Sequence, residues 1–534
     1  MITDLLQAAL RDALGSLGVD PLPDIINLER PGNRDHGDWS SNVALASSKA
    51  AGRNPRELGQ VIADYLNANL PDHVEAVEIA GPGFVNFRLA DTWLHDVLST
   101  VVNEGDDRYG RTDTGAGAKV NVEFVSANPT GPLHAGHARG ACYGDVIARL
   151  LAATGHEVER EFYINDRGVQ MQTYAKSLMA RKNGEEPPED GYVGQYIIDW
   201  AQLMPDDADA LEWGYAHAKA DQTEVLASLG IVFDRWYSER SMLDNGLIEE
   251  TLADLRDRGV VYEQDGATWF RSTDYGDDKD RVIIRSDGNF TYITPDIAYH
   301  RDKFSRADKL INVLGSDHHG YVPRMKAAME ALGHNRGDLE MPITQMVRLM
   351  RDGEEVKLSK RTGEIIELRE LVAEIGADAT RFTYLLQSVD TPQTFDLDVV
   401  ASQGMDNPVF YVQMAHARLR SIQTKVNEAG IERVALADAD LGLLAHQREL
   451  DVLRGLHELP DVVQLAAREM APHKVANWLR EFAASVHGFY HDCYVMGDDV
   501  SPELTQARLW LVESARVGLV VGLGLLGVSA PDSM

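Results

Sequence analysis

Between residues 120 and 154 the sequence allows few structural readings. The apolar run VNVEFV (120–125) breaks into the proline- and glycine-rich stretch NPTGPLHAGH (128–137). A long helical pattern follows from about His134 to Thr154, and Gly155 closes it. A buried strand that feeds a helix through a tight loop is one half of a parallel crossover. The next strand pattern, Glu157 to Ile164, supplies the other half. The alternation resumes downstream, with strands at Leu310–Leu314 and Ile343–Leu349 and a helix at Tyr321–Leu332. This pattern predicts a doubly wound, Rossmann-like parallel sheet over residues 111–400, carrying an insertion at about 184–290. Within the insertion, strands are expected at Thr268–Arg271, Val282–Arg285 and, after the Ser286–Asn289 turn, Phe290–Ile293.

With 534 residues the chain exceeds one core, and further domains are expected on both sides of the sheet. Residues 1–110 read as a small α/β unit: a helix to about Leu17, a helical stretch from Asn42 to Leu70, a Gly81-Pro82-Gly83 turn and the strand Phe84–Phe87. From 401 to 534 strand signals vanish, which predicts an all-helical domain. The longest apolar run, Val517–Val528, is glycine-interrupted and far shorter than the roughly 20 residues a spanning helix needs, so it predicts a buried helix. The N-terminus lacks a basic segment followed by an apolar core, so no signal peptide is expected. Only two cysteines occur, Cys142 and Cys493, which excludes a disulfide framework or a cysteine-cage zinc site and fits a reducing cytoplasm. The net charge of −33 argues against indiscriminate nucleic-acid binding, but it does not forbid a local basic path for one shaped RNA.

In such a sheet ligands bind at the carboxyl ends of the strands, where helix N-termini present free N–H groups. His134 and His137 stand three apart on the first helical turn and share a face, able to donate hydrogen bonds to a phosphate gathering charge. Gly136 between them leaves room for a flat base. Taken alone, two helix-start histidines could equally be caps or metal ligands. About 220 residues further on, VKLSKRTG (356–363) offers Lys357, Ser359 and Lys360 in a loop that could neutralise a leaving pyrophosphate. By itself this is a solvated basic turn; paired with the histidines, in this order, it is the adenylation signature of class I aminoacyl-tRNA synthetases.

The chain resembles bacterial arginyl-tRNA synthetases from end to end. NVEFVSANPTGPLHAGHARG, FYINDRGVQM, GSDHHGYVPRM, NPVFYVQMAHARLRSI and GLGLLGVSAP carry the likeness, and RDHGDWSSNVAL with AGPGFVNFRL resembles that family's extra N-terminal domain. The resemblance implies a class I catalytic domain, an N-terminal domain contacting the tRNA elbow near its D-loop, and a helical anticodon-binding domain. It also implies a cytoplasmic monomer, with no membrane attachment and no zinc, that uses L-arginine, tRNA(Arg), and ATP with Mg²⁺. His134, His137, Lys357 and Lys360 become the expected catalytic residues, with Pro129, Gly131, Gly136 and Ser359 completing the ATP site. A guanidinium substrate calls for carboxylates, and the resemblance places Glu123, Tyr292 and Asp296 around it. Asn128, His134 and Asp317 are expected at the amino-acid end. Tyr411, His416, Arg418 and Arg420 mix aromatic and basic groups suited to unstacked RNA bases, although a solvated helix face explains the charges as well.

Three rivals remain at this stage. Other class I synthetases fit poorly: a cysteinyl enzyme wants a zinc site, a glutamyl enzyme wants arginines where carboxylates stand, and a large editing insertion does not fit between 137 and 357. A smaller nucleotidyltransferase would lack the outer domains. A catalytically dead tRNA-binding paralogue would not be expected to keep His134, His137, Lys357 and Lys360.

Overall fold

The computed structural model describes residues 2–31, 33, 36–356 and 366–534. Its chain forms two compact units. One comprises Met1–Glu104, Lys425–His457 and Gly488–Ala515; the other comprises Gly105–Thr424, Glu458–His487 and Arg516–Met534.

The first unit holds a three-stranded antiparallel sheet in the order Trp39–Ser41, Phe84–Leu89, Val74–Ala80. The helix Ile2–Ser16 buries Leu6, Leu10 and Leu14, a spacing of four that sets them on one stripe. The helix Pro55–Ala68 starts with the Asn54 side chain accepting from the Arg56 N–H, and proline occupies its first turn. His457 sits edge-on to Trp93 at 4.7 Å, with Trp39 6.4 Å away.

The second unit carries the main sheet. Five strands, all parallel, lie in the order Leu339–Glu340, Lys309–Asn312, Lys119–Glu123, Glu157–Ile164, Arg235–Ser238. The chain enters at Lys119–Glu123, winds outward to one side, then returns to build the other. The switch point therefore lies between Lys119–Glu123 and Lys309–Asn312, where Glu123 pairs with Asn312 in register. A crevice at that point is the ligand position of doubly wound sheets.

The stretch 184–290 is not a single insertion, because Arg235–Ser238 is the edge strand of the main sheet. Its four residues lack the apolar run that marks a buried strand, as an edge allows. Between the strands stand the helices Gly168–Lys182, Gln195–Leu203 and Ala210–Ser228, with a small core of their own around Tyr174, Ile197 and Trp200. A three-stranded antiparallel sheet follows: Val261–Gln264, Ala267–Phe270, Arg281–Ile284. The strand expected at Phe290–Ile293 is reduced to one bridge, Ile284 to Phe290, because the helix Ile293–Phe304 has already begun.

Beyond Ser402 the described elements are helical, with long helices at Pro408–Glu428, Gln447–Arg468, His473–Asp492 and Pro502–Leu525. The run Val517–Val528 is internal: Leu519, Leu523 and Leu526 are fully buried. No helix among the described residues is long and apolar enough to cross a membrane. Within the second unit the tail is fixed by Arg381, fully buried, whose guanidinium donates to the carbonyls of Leu526 and Leu229 and pairs with Asp145 of the helix Ala135–Ala153.

Candidate active site

The strand Lys119–Glu123 ends abruptly because Val125 and Ser126 both take positive φ, 69° and 43°. For a β-branched residue that is a strained backbone, the kind held only where the surroundings enforce it. Here they do. Phe124 is fully buried, and its ring lies where a Cβ on Gly144 would stand, 2.2 Å away, so the helix Ala135–Ala153 packs closely over the strand end. Ser126 then donates to Glu123 Oε1 at 2.9 Å while accepting from the Tyr163 N–H at 3.2 Å.

His134 caps the helix Ala135–Ala153. The Gly136 N–H donates to His134 Nδ1, and the His134 N–H donates to His137 Nδ1, both at 3.1 Å. A ring nitrogen that accepts a backbone N–H carries no proton, so in the neutral imidazoles both protons reside on Nε2. Capping and phosphate recognition are thus compatible: each Nδ1 serves the helix, and each Nε2–H is a donor. The rings lie 3.8 Å apart, centroid to centroid. Gly136 is required by this arrangement, since a Cβ there would stand 2.8 Å from His134 Nδ1. The space that the sequence reserves at Gly136 for a base is thus needed first by the His134 ring.

Lys357, Ser359 and Lys360 lie outside the described residues. Their described flank adjoins the histidines: the Ala135 N–H donates to the Ile366 carbonyl at 2.9 Å, and the Leu368 N–H donates to the Leu133 carbonyl at 2.7 Å. Ile366 and Leu368 are therefore neighbours of the histidine segment, although more than 220 residues separate them in sequence. Arg139, itself buried, adds a second tie from the same helix by donating to the carbonyls of Gln345 and Ser388.

A cluster of carboxylates lies at the carboxyl end of the sheet. Glu123 Oε2 is held by Lys303 Nζ at 2.6 Å; Lys303 is fully buried and also donates to Asn312 Oδ1 at 2.6 Å. Asn312 Nδ2 donates to His300 Nε2 at 2.6 Å, and His300 Nδ1 donates to the Asp296 carbonyl at 2.8 Å. Burial and the Lys303 charge push His300 down to about 4, so it is neutral and holds that tautomer. Burial works against the charge on Glu123, but Lys303 and His300 outweigh it, and the carboxyl titrates below its usual range. Asp296 is the opposite case. Burial first, then the charges of Glu239 and Glu123, push it up to about 7, against a hydrogen bond from Tyr321 and the charge of Arg324.

Glu239, directly after the edge strand, was not singled out from sequence. Its own pKa is raised by burial, against a hydrogen bond from Tyr163 and the charge of Arg167, whose guanidinium lies 3.8 Å away. A scan for carboxylates immediately following each parallel strand would have found it beside Glu123. Lys303 was also missed; it shares one helical face with Asp296 and His300, which periodicity alone reads as core.

Of the remaining expected residues, Tyr292 precedes the first turn of the Asp296 helix and is 90% exposed. Asn128 donates to Gln170 Oε1 at 3.0 Å. Pro129 is buried and Gly131 half-buried in the loop between strand and helix. Asp317 is exposed on a short turn after Leu314–Gly315, 3.0 Å from His318 Nδ1. In the helix Pro408–Glu428, His416 corrects the expectation of an RNA-facing group: it is 2% exposed, its Nδ1 held by the Pro531 carbonyl at 2.8 Å. Tyr411 meets His487 edge-on, Arg418 contacts His487 Nδ1 at 2.9 Å, and Arg420 pairs with Asp532 at 2.8 Å. Among the described residues no group of three or more His, Cys, Asp or Glu side chains converges as metal ligands.

Comparison with known proteins covers the chain from end to end. The arginyl tRNA synthetase N terminal domain matches residues 2–89. The catalytic domain of the class I (R) tRNA synthetases matches 98–189 and 217–419, leaving 190–216 between its two parts. The DALR anticodon binding domain matches 412–534. An arginine–tRNA ligase of Syntrophotalea carbinolica is 46% identical over 529 residues, 95% of each chain. One from Geobacillus kaustophilus is 44% identical over 557 residues, covering 100% of this chain and 98% of that one. The Thermus thermophilus arginyl-tRNA synthetase structure, 24% identical, superposes with a TM-score of 0.74 over the full length of both chains and shows the shared fold. The chain belongs to the arginyl-tRNA synthetase family.

Proposed function

We propose that this chain is an arginine–tRNA ligase that activates L-arginine with ATP and transfers it to the terminal adenosine of tRNA(Arg). The observation that carries the reading is the cluster of carboxylates, Glu123, Glu239 and Asp296, at the carboxyl end of the sheet. Asp296, set beside the charges of Glu239 and Glu123 and pushed up to about 7, gains from an added cation, which a guanidinium supplies in bidentate form. Tyr292 then flanks that guanidinium, while Asn128, His134 and Asp317 serve the amino-acid end.

In the first step an oxygen of the arginine carboxylate attacks the α-phosphorus of ATP in line. The bond to the bridging oxygen breaks and pyrophosphate leaves. Pro129, Gly131 and Gly136 bed the nucleotide, and the Nε2–H groups of His134 and His137 meet the charge that builds on the α-phosphate. Lys357 and Lys360, with Ser359, neutralise the departing pyrophosphate. Mg²⁺ would come held by the ATP phosphates and would offset their charge, the substrate supplying most of its ligands. In the second step the 2′-hydroxyl of the terminal adenosine attacks the carbonyl of arginyl-adenylate, and AMP leaves. Positioning and electrostatics supply the rate in both steps.

Three functional parts follow: residues 1–110 for the tRNA elbow, 111–400 for chemistry, and 401–534 for the anticodon. In the last part Tyr411, Arg418 and Arg420 are the proposed RNA contacts. The enzyme acts in the cytoplasm as a monomer. Charging of tRNA(Arg) by labelled arginine tests the whole reading. Charging with arginine and no other amino acid is expected; no charging with arginine would overturn it.

A further inference from the structure

The loop Asn128–Gly131 is short of hydrogen-bond donors, because Pro129 within it and Pro132 directly after it lack N–H groups. Three of its carbonyls are nonetheless engaged, all by side chains from outside the loop. Gln222 Nε2, from the helix Ala210–Ser228, donates to the Asn128 carbonyl at 3.1 Å and to the Gly131 carbonyl at 3.0 Å. The Tyr196 hydroxyl, from the helix Gln195–Leu203, donates to the Thr130 carbonyl at 2.9 Å.

Both donors are fixed by their surroundings. Gln222 is 1% exposed, and its Oε1 has no hydrogen-bond partner, so the amide is held for the sake of its donor end. The Tyr196 ring lies 3.0 Å from where a Cβ on Gly131 would stand and 2.7 Å from one on Gly194, so two glycines make room for it. Trp200 braces the ring edge-on at 5.1 Å. Because a trans peptide is planar, holding the Thr130 carbonyl toward Tyr196 aims the Gly131 N–H to the opposite side.

Tyr196 belongs to residues 190–216, which fall between the two matched parts of the catalytic domain. Residues 184–220, which include it, read from sequence as an acidic, polar insertion. Its geometry gives it a task at the chemistry.

We propose that Tyr196 and Gln222 are positioning residues for adenylate formation, clamping the Asn128–Gly131 loop from behind so that ATP meets a fixed backbone. The proposal rests on the reading of that loop as the ATP site. Neither residue touches the substrate; Tyr196 acts through one carbonyl and Gln222 through two.

The test is arginine-dependent exchange of pyrophosphate into ATP by the full-length chain with tRNA(Arg) present, comparing Tyr196→Phe, Gln222→Met and His137→Ala. Tyr196→Phe keeps the ring and removes one donor; Gln222→Met keeps the volume and removes two. Expected are falls in kcat of roughly fivefold and roughly a hundredfold, for one lost hydrogen bond and for a displaced loop. KM for ATP should rise, while KM for arginine stays within about twofold. Wild-type kcat and KM for ATP in both variants, with exchange abolished by His137→Ala, would refute the clamp and leave the ATP site standing. Full exchange by His137→Ala would overturn the ATP site and the clamp with it. Losses of kcat that follow the melting temperature, with KM for ATP unchanged, would reduce both residues to packing and also refute the clamp. Should Gln222→Met fail to fold, Tyr196→Phe decides alone.

Discussion

Replacing Asp296 by asparagine removes the charge proposed to receive the guanidinium while keeping size and shape. Asp296 is half-buried, and its carboxyl is pushed up to about 7 by desolvation and by Glu239 and Glu123. Only the ionised form binds a cation well, so apparent affinity scales with the ionised fraction. That fraction is roughly one half at pH 7 and about one tenth at pH 6, which predicts that KM for arginine rises roughly tenfold between pH 8 and pH 6. Removing one member of a buried charge pair costs about 2–5 kcal/mol, so Asp296→Asn should raise KM for arginine at pH 8 by roughly thirtyfold or more. The variant should also lose the break near pH 7. The sign carries over to stability. A carboxyl whose native pKa lies above its unfolded value favours folding when protonated, and this contribution is lost as pH rises from about 4 to about 7. Bound arginine restores it, so arginine should raise the melting temperature more at pH 8 than at pH 6. Steady-state pyrophosphate exchange across this range measures KM, and a thermal melt measures the rest. An unchanged KM for arginine in Asp296→Asn, with the pH break intact, would refute the reasoning.

Lys360→Ala should lower kcat for exchange by about a hundredfold or more, the size of losing one preorganised donor, while KM for arginine holds. Loss of arginine affinity alone would contradict a pyrophosphate role. Gly136→Ala should disrupt the His134 cap, because its Cβ would stand 2.8 Å from Nδ1, and exchange should fall with little change in melting temperature. Gly527→Ala should destabilise the chain by more than about 1 kcal/mol in denaturant unfolding, since φ is +67° and the new Cβ would lie 2.2 Å from the buried Arg381 guanidinium. A neutral result there would show that the tail anchor yields easily.

What could be read from sequence was local. Strand, loop and helix between 119 and 153 are contiguous, and their punctuation by Pro129, Gly131 and Gly155 is explicit. The early end of the strand was not legible, because Val125 has high strand propensity and only packing around Phe124 forces its positive φ. Pairings distant in sequence were equally hidden. Lys303 meets Glu123 across 180 positions, and Gln222 meets the signature loop across more than 90. His416 looked like an RNA ligand because helical spacing gives a face but not its neighbour; the tail at Pro531 covers it. Phe290–Ile293 alternates like a strand, yet the helix to Phe304 claims its end.

The central claim is adenylate formation with arginine at the paired-histidine site. Exchange of labelled pyrophosphate into ATP, across all twenty amino acids, with and without tRNA(Arg), tests it most directly. The account predicts exchange with arginine and no other amino acid, and its loss in His134→Ala and His137→Ala. Exchange driven by another amino acid, or none with any, would contradict it.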